Sequence, residues 1–337
     1  MRKLASIRKI SDIQSIEGAD AIELAIVDGW KVVTKRGEYN IGDLCIYCEI
    51  DSFLPVKEEF EFLRKSSFRK MADGSEGFRL KTIRLKNQIS QGLLLPLSLL
   101  GDFSLTASEG TEVTELLGIT KWEDPIPAEL AGKVKGNFPS IIRKTDEIRV
   151  QNLTNQWERF KASGKKFYVT EKLDGTSATF YFNDGVFGVC SRNLELLKDE
   201  NNTYWKVAEK LDLENKFKNL GRNICLQGEL IGEGVQGNPY KIIGQTVRFF
   251  SAFDIDEQKV LTIEDLINLS NLFKITTVPI IDLDFQLTNS IEDILLLADS
   301  KSILNQKFDR EGIVIRSHDS EISFKVISNK FLLKEKC

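Results

Sequence analysis

The segment of this sequence best suited to chemistry is a lysine that stands between two strand-like runs. Lys166-Phe-Tyr-Val-Thr170 precedes it, and a charged turn, Lys172-Leu-Asp174-Gly175, separates it from Ala178-Thr-Phe-Tyr-Phe182. A lysine held between apolar strands is partly removed from water, which favours the neutral amine and makes it a nucleophile. Taken alone, K-x-D-G is a common tetrapeptide, and a surface hairpin turn is the simpler interpretation.

Further segments that could do chemistry follow this lysine. They are Ser191-Arg192-Asn193, Gly228-Glu229-Leu230-Ile231-Gly232, Phe249-Phe-Ser-Ala-Phe253-Asp254-Ile255, Arg310-Glu311-Gly312-Ile-Val314-Ile-Arg316 and Ser323-Phe324-Lys325. In this order and spacing they resemble the nucleotidyltransferase motifs of covalent polynucleotide ligases and RNA capping enzymes. The resemblance covers about 145 to 337 and is specific, because several separate motifs recur in order.

The first part of the chain carries a second resemblance. Ile16-Glu-Gly-Ala-Asp-Ala-Ile-Glu23, Gly42-Asp43 and Glu49-Ile-Asp51-Ser-Phe-Leu-Pro55 look like the N-terminal OB domain of ATP-dependent RNA ligases of the Naegleria and Deinococcus type. DNA ligases and capping enzymes usually carry the OB domain after the catalytic one. The domain order therefore favours the RNA ligase family.

This resemblance implies a reaction in three steps. A lysine attacks the α-phosphorus of ATP to form lysyl-AMP, AMP moves to a 5′-phosphate of RNA, and a 3′-hydroxyl displaces AMP. Lys172 must be neutral to attack, so positive charge from a divalent cation, Lys325 or Arg192 has to lower its pKa. Asp174 alone would act in the opposite direction, which implies that it is oriented toward a hydroxyl or a water molecule at the metal.

The resemblance also implies roles for the other residues of the site. Lys325 would contact the α-phosphate and neutralise charge that develops in the transition state. Glu229 and Glu311 are hard oxygen donors that suit Mg²⁺ or Mn²⁺, and Glu229 suits the ribose hydroxyls equally well. The implied catalytic residues are Lys172, Asp174, Glu229, Glu311 and Lys325. The other implied contacts to ATP or AMP are Glu171 to the adenine amino group, Arg192 to ribose or phosphate, Phe253 and Val314 to the faces of adenine, and Arg149 to the phosphates.

Several of these assignments have structural alternatives. Core packing competes with nucleotide binding as the explanation for Phe253 and Val314. The last motif also departs from the family pattern, because related RNA ligases often have a second lysine where this chain has Ile327. Either Lys325 suffices, or Lys330 or Lys334 reaches the phosphate instead.

The pattern along the chain predicts an α+β protein with two domains. Short β-rich runs separated by turns predict an N-terminal β-barrel, which the resemblance identifies as an OB-fold, over 1–120. A linker over 121–144 leads to a mixed α/β nucleotidyltransferase domain, ATP-grasp-like, over 145–337. At the start of that domain, the pattern predicts a helix over Asp146 to Trp157 with Thr145 as its N-cap.

Composition restricts the classes of function. The chain has 337 residues, 42% of them hydrophobic, and a net charge of -4 from 46 basic and 50 acidic residues. Nucleic-acid binding must therefore rest on local patches, and the densest basic stretch, Arg64 to Lys86, is either a solvated rim or a phosphate-contacting surface. With no long apolar run and no leader sequence, we expect an intracellular monomer that does not contact a membrane.

Five scattered cysteines and one histidine argue against a disulfide framework and against a histidine-rich metal site. Cys45 and Cys48 form a C-x-x-C pattern inside a strand-like run, so we predict buried strand residues. His318 falls in a predicted polar turn.

The leading hypothesis is thus an ATP-dependent RNA ligase that joins 3′-hydroxyl and 5′-phosphate ends of nicked or broken RNA. The alternatives are a DNA ligase, a GTP-using capping-type enzyme, and an RNA-binding protein with an inactive nucleotidyltransferase domain.

Overall fold

The computed structural model describes residues 3–71, 74–86, 88–122 and 133–333. These residues divide into two compact units. The first contains 3–122 and 151–155, and the second contains 133–150 and 156–333. The first is built mainly of strands, whereas the second mixes strands and helices. The predicted α+β class is therefore confirmed.

Short antiparallel strands build the first unit. They are β1 (Ala5–Ser15), β2 (Ile22–Val27), β3 (Trp30–Lys35), β4 (Leu44–Cys48), β5 (Ser52–Pro55), β6 (Phe68–Lys70), β7 (Glu76–Arg79), β8 (Thr82–Leu85), β9 (Gln88–Gln91), β10 (Leu93–Leu95) and β11 (Thr120–Lys121). A short α-helix, α1 (Arg64–Ser67), and 3-10 helices over Glu58–Leu63 and Leu97–Leu105 accompany them. One sheet has the order β10-β4-β1-β2-β3, a second has the order β11-β5-β7-β6, and β8 and β9 form a hairpin. The strands make a nearly closed barrel, which confirms the predicted OB-fold.

The turn between β2 and β3 shows how the sequence determines this barrel. Asp28 adopts a left-handed conformation with φ 51° and is followed by Gly29, which allows a tight hairpin. In β3, Trp30, Val32 and Thr34 are buried, Lys31 and Lys35 are exposed, and Val33 is half-buried. This alternation places one face of the strand in the core.

The second unit contains two larger sheets and most of the helices. Its strands are β12 (Val134–Asn137), β13 (Ile148–Arg149), β14 (Phe167–Lys172), β15 (Thr176–Asn183), β16 (Val186–Cys190), β17 (Leu194–Leu196), β18 (Ile224–Gly232), β19 (Gln245–Asp254), β20 (Lys259–Val260), β21 (Ile280–Phe285), β22 (Gly312–Ser317) and β23 (Ser323–Ile327). Its helices are α2 (Trp157–Lys161), α3 (Thr203–Lys210), α4 (Leu213–Leu220), α5 (Ile263–Phe273), α6 (Ile291–Ala298) and α7 (Asn329–Leu332).

The two sheets of this unit differ in strand order and in what packs on their faces. A seven-stranded sheet has the order β12-β17-β16-β15-β18-β19-β20, and a five-stranded sheet has the order β13-β23-β22-β14-β21. Helices α3, α4 and α5 cover one face of the seven-stranded sheet, where Phe180, Phe217, Leu226, Phe249 and Leu266 form the main core. Its other face lies toward the five-stranded sheet, since Arg316 of β22 donates to the Phe250 carbonyl of β19.

The helix predicted over 146–157 is wrong. Instead, β13 pairs in parallel with β23, a 3-10 helix spans Val150–Gln156, and α2 begins at Trp157. Two ion pairs explain the difference, because Asp146 lies 3.1 Å from Lys325 and Glu147 lies 2.8 Å from Arg316. Helix propensity is a weak local preference, and this pairing outweighs it.

The remaining local predictions concern the linker and the sulfur residues. Of the predicted linker, 123–132 lie outside the described residues, and Val134–Asn137 form β12, paired with β17. Cys45 and Cys48 are both fully buried in β4, as predicted. Within the described ranges, no helix combines the length and apolar character that crossing a membrane requires.

Candidate active site

Lys172 lies at the end of β14, where it pairs with Gly312 of the neighbouring β22. A Cβ atom at Gly312 would collide with the carbonyl oxygen of Val326, so glycine allows three strands to approach closely at this point. Beyond Lys172 the chain turns through Asp174 and Gly175 into β15. The predicted turn between two strands is thus present, with the lysine at its first position.

The ammonium group of Lys172 is surrounded by carboxylates. Its Nζ lies 2.7 Å from both oxygens of Glu311, which directly precedes β22. Burial lowers the pKa of Lys172, but the negative charges of Glu311 and Glu229 outweigh burial. Asp174 acts in the same direction, so the pKa of Lys172 lies above that of an ordinary lysine. The raised pKa makes the protonated amine the stable form of Lys172 among these carboxylates.

Glu229 comes to the same place from the other sheet. It lies in β18, between Ser177 of β15 and Arg248 of β19. Burial raises the pKa of Glu229 to about 8, and the charges of Glu311 and Asp174 act in the same direction. Lys172 and Arg192 partly oppose this rise. The structure therefore brings together Lys172, Asp174, Glu229 and Glu311, with Arg192 exposed at the edge of the group.

Lys325 and Arg149 share one face of the five-stranded sheet with Lys172. Thr170 is opposite Val314, Val314 is opposite Lys325, and Lys325 is opposite Arg149 in parallel register. Opposed residues point to the same face, and so do residues two apart on one strand. Lys172 therefore lies one step along β14 from this row. Arg149 is buried, with 7% of its surface exposed.

Glu171 has a different environment from its neighbour Lys172. It is 1% exposed, and its Oε2 accepts a hydrogen bond from the Ile303 amide at 2.8 Å. Burial raises the pKa of Glu171, although Ser302, Ile303 and Arg310 act against this rise. Its Oε1 is buried and has no hydrogen-bond partner among the described residues. One oxygen is thus fixed by the backbone, and the other can accept a bond from a ligand.

The structure does not bring Phe253 to this group. Phe253 is opposite Cys225, four residues from Glu229 along β18 and thus about 13 Å away along the strand. It is 2% exposed and packs in a cluster with Ile142, Tyr181 and Cys190. This environment supports the core-packing explanation for Phe253.

Phe250 is an aromatic side chain of β19 that packs next to the turn after Lys172. A β-bulge between Gln227 and Gly228 inserts Phe250 as an extra residue in β19. Phe250 packs against the cluster of Leu173, Ile231, Tyr240 and Val278, next to the lysine turn. Counting by strict alternation cannot find it, because the bulge changes which residues face the site.

Comparisons with known proteins agree with this geometry. A family profile described as OB-fold domain matches 4–97, and a profile described as RNA ligase matches 165–331. The solved structure of a Naegleria gruberi RNA ligase variant without ligand is 44% identical, with a TM-score of 0.91, covering 98% of this chain and 97% of that chain.

Two further Naegleria gruberi RNA ligase structures give the same result. A variant with ATP and Mn is 43% identical, and the protein with PPi is 44% identical; each has a TM-score of 0.90 and covers 98% of both chains. The search of curated proteins finds no match. This chain belongs to the RNA ligase family. The resemblance drawn from the motifs is thereby confirmed.

The departure in the last motif of this RNA ligase has a structural explanation. Ile327 is opposite Gly312, which is opposite Lys172, so position 327 lies in the same row as Lys172. Ile327 is 5% exposed and belongs to the core of this sheet. Lys330 lies beyond the strand in α7, and Lys334 falls outside the described residues.

The carboxylates of the RNA ligase fit a divalent cation. Glu311 and Glu229 are oxygen donors of the kind that Mg²⁺ and Mn²⁺ prefer. The pKa of Glu229 is raised chiefly by burial, and the nearby charges of Glu311 and Asp174 add to the rise, so a cation bound here would stabilise its charged form. Within the described ranges, no three His, Cys, Asp or Glu side chains form a complete metal-binding group. The fit is therefore to a cation held by two carboxylates and by oxygens of water or substrate.

Sequence reasoning missed three kinds of residue in this site. The first is Phe250, and the second is the pair of Glu147 and Arg316, whose guanidinium lies 5.8 Å from the Phe250 ring centroid. The third is Tyr240, whose hydroxyl accepts a hydrogen bond from the Asp174 amide at 2.5 Å. Arg316 lies inside a quoted motif, but Tyr240 is in a loop of turn-forming residues with no local signal for a role at Lys172.

Proposed function

We propose that this chain is an ATP-dependent RNA ligase that uses Lys172 as its nucleophile and joins 3′-hydroxyl to 5′-phosphate ends. The observation that carries the proposal is Lys172 Nζ at 2.7 Å from Glu311, beside Glu229 and Asp174, within a fold shared with RNA ligases. A half-buried lysine surrounded by carboxylates has little use in stability, since removing charges from water costs about as much as pairing them returns.

In the first step, Lys172 loses its proton and attacks the α-phosphorus of ATP. A P–N bond forms, the bond to the β-phosphate oxygen breaks, and pyrophosphate leaves. Lys325 and Arg149, on the same sheet face as Lys172, bind the phosphates and stabilise the added negative charge. Naegleria gruberi RNA ligase has been solved with PPi, which supports pyrophosphate as the leaving group.

In the remaining steps, an oxygen of the RNA 5′-phosphate displaces Lys172 from AMP, and the P–N bond breaks. A 3′-hydroxyl then attacks the RNA 5′-phosphorus, a phosphodiester forms, and AMP leaves. Asp174 lies at the turn next to Lys172 and orients a hydroxyl or a water molecule.

The nucleoside part of ATP is held by residues around β14 and β18. Val314 is 8% exposed and offers an apolar face to adenine. Glu171 accepts from the adenine amino group through Oε1, which favours ATP over GTP. Arg192 or Glu229 contacts the ribose or a phosphate. Phe250 is a better candidate than Phe253 for the second face of adenine, because of its position beside the lysine turn.

Glu311 and Glu229 would hold Mg²⁺ or Mn²⁺. A divalent cation on these two carboxylates would cancel the negative charge that raises the pKa of Lys172, and would screen the phosphates. Support comes from the Naegleria gruberi variants solved with ATP and Mn and with AMP and Mn.

The RNA ends would be held partly by the barrel. Lys81, Arg84 and Lys86 lie on or beside β8, and none has an ion-pair partner within the residues the structure describes. Such uncompensated cations suit phosphates. We propose domain boundaries of 1–120, 121–144 and 145–337, and a monomer as the working form.

The proposal is tested by label transfer from α-phosphate-labelled ATP to the denatured protein, with GTP in parallel. We expect label from ATP with Mg²⁺ or Mn²⁺, and none in Lys172→Ala. Lys206→Ala, which removes an exposed lysine on α3, is the matched control and keeps the label.

Each other outcome has a defined meaning. Label from GTP would identify capping chemistry. An adenylylated protein that seals nicked DNA but no RNA would be a DNA ligase. Absence of label from either nucleotide in the folded wild type would overturn the enzymatic proposal and leave an RNA-binding protein.

A further inference from the structure

The turn that follows Lys172 is bound by the side chain of one distant residue. The Asp174 amide, two residues after Lys172, donates a hydrogen bond of 2.5 Å to the hydroxyl of Tyr240. Tyr240 is 66 residues away in sequence and 5% exposed. Its ring packs with Leu173, Ile231 and Val278, so both the ring and the hydroxyl contact the segment next to Lys172.

The loop that presents Tyr240 is itself fixed. The side-chain amide of Asn238 donates to the Ile242 carbonyl at 2.9 Å, and its oxygen accepts from the Ile242 amide at 3.1 Å. Asn305 donates to the Pro239 carbonyl at 2.7 Å. Gln236, Asn238 and Lys241 have positive φ, a conformation that non-glycine residues keep only when their surroundings hold them. These hydrogen bonds fix the loop, and the loop in turn fixes the position of the Tyr240 hydroxyl.

This loop also connects the turn to the residue beside the nucleophile. Asn305 belongs to the segment whose Ile303 amide binds Glu171 Oε2 at 2.8 Å. Tyr240 thus binds the chain just after Lys172, at Asp174. The segment that contains Asn305 binds the chain just before Lys172, at Glu171. Burial raises the pKa of the Tyr240 hydroxyl. The hydrogen bond from the Asp174 amide lowers it, but the negative charges of Glu311, Asp174 and Glu171 raise it further, so the hydroxyl stays protonated.

We infer that Tyr240 is a positioning residue for lysine adenylylation, acting through the Asp174 amide to fix the turn that places Lys172 Nζ for attack. This inference rests on the proposed function and adds a residue that touches neither ATP nor the reacting atoms. A turn free to move by a fraction of an ångström would bind ATP normally but react slowly, because attack requires close alignment of nitrogen and phosphorus.

Tyr240→Phe is the variant that tests this inference, since it removes the hydroxyl and keeps the ring. Tyr181→Phe is the matched control, because Tyr181 is also 5% exposed and its hydroxyl also makes a hydrogen bond, to Glu195, in the cluster that contains Phe253. Both variants lose one hydrogen-bonded hydroxyl from the same unit. They differ in whether that hydroxyl contacts the lysine turn.

The measurement is the single-turnover rate of label transfer from α-phosphate-labelled ATP as a function of ATP concentration. We expect Tyr240→Phe to lower the rate at saturating ATP by about tenfold, the size of one lost hydrogen bond, and to change half-saturation by less than about twofold. Tyr181→Phe should keep both values. Sealing of RNA that already carries a 5′-adenylate does not use Lys172 as a nucleophile, so Tyr240→Phe should retain it.

Three results would overturn the inference. Labelling of Tyr240→Phe at the wild-type rate shows that the hydroxyl is not needed. A higher half-saturating ATP concentration with an unchanged maximal rate makes Tyr240 a binding residue. Parallel loss of labelling and of sealing of adenylylated RNA points to general disruption.

A second variant protects the test against misfolding. Asn305→Ala keeps the Tyr240 side chain itself but removes the hydrogen bond to the Pro239 carbonyl that helps to fix the Tyr240 loop. It should lower the maximal labelling rate in the same way, by a smaller factor, and a wild-type rate would count against the inference. Failure of the wild type to label at all would instead refute the proposed function.

Discussion

Lys172 is held in its charged form before it acts. Its contact with Glu311 and the fields of Glu229 and Asp174 raise its pKa, although burial alone would lower it. In the proposed reaction this ammonium ion must lose its proton, and positive charge that enters the site would favour that loss. Burial raises the pKa of Glu229 to about 8, and the charges of Glu311 and Asp174 act in the same direction.

The two phenylalanines of β19 should separate binding from stability. Phe253→Ala removes a fully packed ring and should lower the free energy of unfolding by about 3–5 kcal/mol, with the ATP dependence of labelling unchanged. Phe250→Ala should raise the half-saturating ATP concentration about tenfold and destabilise less, because Phe250 is only partly buried. Urea unfolding and ATP titration check both. If the effects were exchanged, the assignment by the bulge would be wrong.

The ion pair of Glu147 and Arg316 should stabilise the fold only when both of its members are present. Arg316 is 6% exposed at its side chain, and Glu147 is 20% exposed. Arg316→Met should cost about 3–5 kcal/mol of unfolding free energy, because it leaves the half-buried carboxylate of Glu147 without its ion-pair partner. Glu147→Gln combined with Arg316→Met should cost less than Arg316→Met alone.

Urea denaturation of the single and double variants measures this coupling. Lys218→Met, which breaks an exposed pair with Glu214 on α4, is the control and should leave stability nearly unchanged. Strict additivity of the two changes at Glu147 and Arg316 would contradict the prediction.

At the scale of elements, the site is made by strand ends and the turns that follow them. β14 ends at Lys172, β22 begins just after Glu311, and the bulge in β19 turns Phe250 toward the lysine turn. Each of these features interrupts a regular strand. Regular pairing elsewhere holds the interruptions in place, which is why a site of this kind sits on a rigid pair of sheets.

The turn after β22 makes stability depend on acid pH. Burial raises the pKa of Asp319, but bonds from Lys165, Ser317 and the Glu321 amide outweigh it and lower the pKa to about 2. A lowered folded-state pKa contributes stability above the ordinary value, and this contribution is lost as pH falls toward 2. Wild type should therefore be more stable than Asp319→Asn at neutral pH.

Thermal unfolding of both proteins between neutral pH and about pH 2 tests this sign. The difference in melting temperature should begin to shrink near the ordinary pKa of aspartate and should nearly vanish at the lowest pH. A difference that is independent of pH, or that grows on acidification, would show that the Asp319 carboxylate does not supply this stability.

At the scale of the molecule, the two units carry different kinds of chemistry. The second unit contains every residue proposed to touch ATP, and the first contains the densest basic stretch of a chain whose net charge is -4. An acidic protein that binds RNA needs its positive charge to be concentrated locally. The hairpin of β8 and β9, with exposed Arg84 and Lys86, meets that requirement.

Changing Lys81, Arg84 and Lys86 together to alanine should weaken RNA binding without affecting label transfer from ATP. Loss of about three phosphate contacts should reduce the slope of log K against log salt by about 2 for single-stranded RNA. Changing Lys206, Lys210 and Lys218 to alanine removes the same charge from α3 and α4 and should leave the slope unchanged. If both triple variants reduced the slope equally, RNA binding would depend on the net charge of the protein and not on the hairpin.

The sequence by itself determined those features that depend on residues close together in the chain. The strands β2 and β3, the tight turn at Asp28 and Gly29, and the Lys172 turn follow from alternation and turn chemistry, which act over a few residues. The motif order also indicated which distant residues meet, and Lys172, Glu229 and Glu311 do lie together.

Only the tertiary structure decided which neighbours those local patterns would have. Parallel pairing with β23 made Ile148–Arg149 a strand, where Asp146 and Glu147 had suggested the start of a helix. One inserted residue in β19 selected Phe250 over Phe253, and a contact across 66 residues brought Tyr240 to the lysine turn. Such choices depend on pairing energies summed over whole sheets, which no short segment of sequence contains.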